Sequence, residues 1–86
     1  MTSRAPIAAQ DLEVHETEDG AIVYQELTGR VHHLNRTAAI ILALCDGAHD
    51  SEQIARTLAE VFGLGEPPLQ ETKTCIEELS HEGLLS

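Results

Sequence analysis

The sequence predicts an α+β domain of winged-helix-like order, a three-stranded antiparallel sheet followed by three helices. Two observations carry that prediction. Up to Asn35 apolar residues alternate with polar ones at a period of two; from there they recur about every three and a half positions. Turn and cap residues fall at the joints between these runs. Asp19-Gly20 and Thr28-Gly29 separate the strands, and Asn35, Asp50 and the Pro67-Pro68 pair open the helices.

Met1 to Gln10 lacks periodicity and contains Pro6, which predicts a flexible N-terminal arm over 1–10 and one domain over 11–86. Asp11 to His15 alternates, with Leu12 and Val14 on one side and Glu13 and His15 on the other, and forms the first strand. Thr17 to Gly20 is a hairpin turn. Ala21 to Leu27, with β-branched and aromatic residues, is the second strand, and Arg30 to Leu34 the third.

Asn35 caps the first helix, whose inner face is Ala38, Ile41, Leu42 and Cys45 and which stops at Asp46-Gly47. Asp50 and Gln53 have the spacing of a capping box. The second helix that follows turns Ile54, Ala55, Leu58, Val61 and Phe62 inward and ends at Gly63. Pro67 or Pro68 suits the first position of the third helix. That helix runs to about Glu82, with Leu69, Thr72, Cys75, Ile76 and Leu79 inward. Gly83 stops it, and Leu84-Leu85 folds back onto the core. Helices this short are marginal alone, so sheet and helices must share one apolar core.

A chain of 86 residues buries roughly 60–65% of its unfolded surface, which leaves no room for a deep enzyme cleft beside a scaffold. Fifteen acidic against five basic residues give a net charge of −10. Nucleic acid needs cations to displace counterions from phosphate, so this balance counts against DNA and RNA, and against anionic membrane surfaces. With one Tyr, one Phe and no Trp there is little on which bases could stack. Cys45 and Cys75 lie in apolar helical stretches, and no signal peptide or membrane-length apolar run occurs. Reduced thiols in a cytoplasmic protein are the expectation, with a Cys45–Cys75 disulfide left open by the sequence.

The candidate chemistries are weak. His32 and His33 are adjacent on a strand and point to opposite faces, so they do not share one ion. His15, His49 and His81 lack ligand spacing, and surface or partner-facing histidines are the default. A nucleophile would need Cys45 or Cys75 beside a base in a cleft, whereas both positions read as apolar helix-face residues. No phosphate loop or nucleophile elbow is present, and Glu77-Glu78 diverge around a helix. No catalytic residue, metal site or cofactor is expected. Lys73, the only cation after Arg56, is either a solvated side chain or a clamp for a carboxylate of a bound segment.

The third strand is more specific. Arg30-Val31-His32-His33-Leu34 has no proline or lysine to blunt it as an edge. If it lies at the edge, its outer row of backbone groups can take a strand from another chain. Periodicity does not decide between an edge and a middle position.

Three runs of this chain together resemble the PqqD-like family: Gly29-x-Val31-His32-x-Leu34-Asn35 with Ala38-Ala39, then Leu44-Cys45-Asp46-Gly47. The third is the spacing on to Ile54-Ala55, Leu58, Phe62 and the closing Leu79-x-x-x-Gly83-Leu84-Leu85. The resemblance spans Leu12 to Leu85 and rests on order and spacing, since each motif is short. It implies a winged-helix peptide-binding domain, the recognition element of ribosomally made, post-translationally modified peptides. Such domains bind the leader of a precursor peptide and present it to a separate modifying enzyme, often a radical S-adenosylmethionine maturase.

The resemblance places the leader as an added strand beside Arg30, Val31, His32, His33 and Leu34. It packs there against a third-helix face carrying Leu69, Thr72, Lys73 and Ile76. This chain departs from the family's larger apolar residues at Thr72 and Cys75. An interface of this size is expected to bind near micromolar, about −8 kcal/mol. The alternatives are a winged-helix transcription regulator, whose recognition helix over Glu52 to Phe62 carries Arg56 as its one cation, and a homodimerisation domain. Monomer and dimer are both open.

Overall fold

The computed structural model describes residues 5–86. Its elements run β1 (Leu12–Thr17), β2 (Gly20–Gln25), β3 (Arg30–Asn35), α1 (Arg36–Leu44), α2 (Ser51–Phe62) and α3 (Leu69–His81). This is the α+β order that the change of period predicts, three antiparallel strands and then three helices. The strands stand in the order β1-β2-β3, so the middle position belongs to β2 and β3 is an edge.

Alternation sorts the side chains to two faces. Ala21, Val23 and Gln25 of β2 point toward the helices and are buried, while Tyr24 faces away. The register extends that inner face sideways in three rows: Glu16–Ala21–Leu34, Val14–Val23–His32 and Leu12–Gln25–Arg30. The first hairpin is tight, with Thr17 opposite Gly20. Glycine is required there because its φ is +154° and a Cβ would overlap the Leu34 carbonyl oxygen of β3.

The helix starts follow from their caps. Asn35 Oδ1 accepts from the Ala38 N–H at 2.8 Å. At α2 the box is complete: Gln53 N–H donates to Asp50 Oδ1, and Asp50 N–H to Gln53 Oε1, both at 2.9 Å. Gly63 ends α2 in the left-handed region. The helix α3 begins at Leu69, one residue after Pro68 and two after Pro67, because Pro68 occupies the cap and its carbonyl accepts from Thr72 N–H at 2.9 Å.

Val23, Ile41, Leu42, Cys45, Ile54, Leu58, Leu79 and Leu84 close one core between sheet and helices. Leu84 is fully buried, as its return to the core predicts. Two expectations need correction. Val61 and Phe62 do not join the inner stripe of α2: both are exposed, since Ile54 and Leu58 already fill the space between helices and the last turn runs past the core. The N-terminal stretch is not loose over Pro6–Ala9. Pro6 O accepts from Gly47 N–H at 3.0 Å, and Ala8 N–H donates to Cys45 O at 2.7 Å. Ala9 N–H reaches Leu84 O at 2.9 Å, and Ile7 O accepts from Ser86 N–H at 2.7 Å. The segment is stitched between the exit of α1 and the C-terminus; residues 1–4 of the expected arm lie outside the described residues.

Candidate functional site

An edge strand with an unpaired outer row becomes a site only when something beside it forms a wall. On β3 the wall is the C-terminal half of α3. Gln25 shows how the two are joined. Its amide Nε2 donates to the Gly83 carbonyl just beyond α3 at 2.9 Å. Its Oε1 is therefore the acceptor for Thr28 Oγ1 and for His32 Nε2, each at 3.3 Å. The other imidazole nitrogen, Nδ1, lies 3.6 Å from Glu82 Oε2, and Arg30 donates to that same oxygen at 3.3 Å. One polar chain thus runs from β2 through β3 to the last turn of α3. Every fully buried side-chain nitrogen or oxygen among the described residues has a partner.

Between β3 and α3 lies a groove of about 680 Å³. One side is β3 itself, from Arg30 to Asn35. The floor and far wall are Ala38 of α1, Cys75, Glu78, Leu79 and His81 of α3, Glu82 just past its end, and Leu84. Its middle is apolar, made by Leu34, Ala38, Cys75 and Leu79; its Arg30 end is closed by the Arg30–Glu82 pair. Val31 (54% exposed) and His33 border the groove but turn their side chains to solvent on the outer side of the sheet.

All five strand residues singled out from the sequence, Arg30, Val31, His32, His33 and Leu34, border the groove. The four helix residues do not. Thr72 is fully buried with its hydroxyl donated to Pro68 O at 2.7 Å, so it secures the start of α3. Ile76 packs on the core, Leu69 is half-buried at the helix start and Lys73 is exposed. The groove's stripe is Cys75, Glu78, Leu79 and Glu82, about one turn further along α3. His32 also departs from the surface default, at 9% exposure. The signal available was parity: Arg30, His32 and Leu34 share the face that Val23 buries.

The thiols are held protonated. Burial pushes Cys45 up to about 11, with Cys75 and Asp46 adding to the effect. Burial likewise raises Cys75, helped by Glu78. Neither is a poised nucleophile at neutral pH. No cluster of three or more metal-ligating side chains occurs among the described residues, and none of their helices is long and apolar enough to cross a membrane. On α2 the one cation, Arg56, is 3.9 Å from Glu52.

Comparison with known proteins agrees with this architecture. Residues 20–85 match the family described as coenzyme PQQ synthesis protein D (PqqD). A solved structure, lasso peptide synthetase B1 complexed with the leader peptide, shares the fold. The TM-score is 0.73 at 17% identity, over 95% of this chain and 98% of the other. No curated protein matches.

Proposed function

The chain belongs to the PqqD family, and from that premise we propose that it binds the leader segment of a precursor peptide, without catalysis of its own. It presents that leader to a separate modifying enzyme, a radical S-adenosylmethionine maturase by the resemblance above, in the cytoplasm. The leader adds to β3 as a fourth strand and packs against the C-terminal half of α3.

The single observation that carries this reading is an unpaired strand edge lying directly beside a groove of about 680 Å³. Backbone hydrogen bonds along the edge supply affinity that is indifferent to sequence. Alternate leader side chains enter the groove, where the apolar stretch of Leu34, Ala38, Cys75 and Leu79 takes an aliphatic or aromatic residue. The others lie over Val31 on the outer face. The solved synthetase B1, whose structure holds a leader peptide, supports the reading. The regulator alternative finds no support in α2, whose Arg56 is paired with Glu52.

Strand addition has a signature that other binding modes lack. Each strand residue turns its N–H and C=O to one side, and its neighbour turns them to the other. Leader peptides N-methylated at successive single positions are therefore expected to lose affinity at every second position and keep it at those between. A loss with no period of two, or none at all, would mean that the leader does not lie along an edge.

A further inference from the structure

The opposite edge of the sheet carries a second groove of similar size that the leader does not use. The helix α1 packs on β2 and β3 but not on β1, so the inner side of β1 is uncovered. A space of about 660 Å³ opens there. Its walls are apolar, with Val14 of β1 half-exposed at 50% and facing Ile40 and Ala43 of α1. Its rim is charged: Glu16 and Glu18 stand against Arg36, and none of the three is in an ion pair among the described residues. Ala8 and Ala9 of the stitched segment form one side, so this groove is built rather than a gap between loose parts.

We propose that this β1–α1 groove is where the modifying enzyme itself docks, through a segment that combines apolar side chains with at least one Lys or Arg. The proposal rests on the leader-binding reading above. An apolar segment fits the walls, and the two free carboxylates on a chain of net charge −10 select a cationic partner over an acidic one. Two strand spacings, about 10 Å, separate this edge from β3, with α1 standing between the two grooves. Leader and enzyme can therefore be held at once, which presentation demands.

The test uses the full chain, a labelled leader and the purified enzyme that modifies that precursor. Val14→Arg places bulk and positive charge in the groove at a half-exposed position. It is expected to weaken enzyme binding at least about tenfold while leader affinity stays within about twofold. Glu16→Gln combined with Glu18→Gln should weaken enzyme binding less and flatten its salt dependence. Val31→Pro should do the reverse of Val14→Arg, losing the leader and keeping the enzyme. Unchanged enzyme affinity in Val14→Arg, checked for fold by circular dichroism, overturns the proposal. So does light scattering that shows a wild-type dimer which Val14→Arg makes monomeric, because a second copy then fills the groove. Should the wild-type protein fail to bind the leader, the reading of β3 falls, while the comparison of Val14→Arg with wild type against the enzyme still decides this one.

Discussion

β1 and β3 are the two edges of one sheet, each six residues long and each free of proline and lysine. They differ in what stands beside them. The inner row of β3 is tied through His32, Gln25 and Glu82 to the end of α3, which makes a groove with an apolar middle and the Arg30–Glu82 pair at one end. The inner row of β1 looks onto α1 across open space, and Glu16 points into it. An inward-pointing charge is a recognised way to discourage indiscriminate strand pairing. An open edge therefore does not define a binding site by itself. On the proposed reading, the neighbouring element decides whether the edge takes an extended peptide or repels all but a charge-matched partner.

The largest expected effect separates the two edges outright. Val31→Pro removes a backbone donor from β3 and should abolish leader binding, with loss of about a hundredfold or more, while the fold survives because proline is tolerated on an edge. Val14→Pro on β1 should leave leader affinity within about twofold; titration of a labelled leader measures both. Equal losses in the two variants would erase the distinction. A charge within the groove is a sharper probe. Ala38→Glu places a carboxylate in the apolar stretch, yet suits the first turn of α1, and should cost leader affinity at least about tenfold without destabilising the helix.

Next in size is the polar chain behind β3. His32→Ala strips a buried partner from Gln25 and Glu82 and is expected to lower stability by about 1–3 kcal/mol in urea unfolding. Glu16→Ala on β1 should stay within about 0.5 kcal/mol. Smaller still is Arg30→Ala, which removes an ion pair more than half exposed at both ends and should cost below about 1 kcal/mol, less at high salt.

The cysteines give a comparison that needs no mutation. Because burial raises both thiols, the thiolate fraction is small at neutral pH and grows as pH climbs toward the raised values. Alkylation should accordingly be slow at pH 7 and accelerate in alkali. Cys75, half-buried in the groove, should react ahead of buried Cys45. Saturating leader should protect Cys75. Protection of Cys45 alone would move the leader to the other side of α1.

Much of this was legible in the residues, and the parts that were not share a cause. Caps and turns are local chemistry, so Asn35, Asp50 with Gln53, and Gly63 mark their helix ends correctly. The strand side of the candidate site was legible for the same reason, as an unblunted run between a turn and a cap. The helix side depends on how α3 crosses the sheet. Leu69, Thr72, Lys73 and Ile76, and the groove-lining stripe at Cys75 and Leu79, are alternatives that one helical period cannot separate. What separates them is a tertiary tie, Gln25 to Gly83, between residues 58 apart in the chain. The β1 groove was invisible for a related reason: nothing in Leu12–Thr17 reveals that α1 fails to cover it. Pro6–Ala9 looked loose because its hydrogen bonds go to distant backbone that leaves no pattern in a sequence.

The most direct measurement is residue-resolved amide hydrogen exchange with and without saturating leader. Protection is expected at alternate amides of Arg30–Asn35, the ones whose N–H groups point outward, with β1 unchanged from Leu12 to Thr17. Protection along β1, or a bound leader that leaves every β3 amide exchanging as before, would contradict the account.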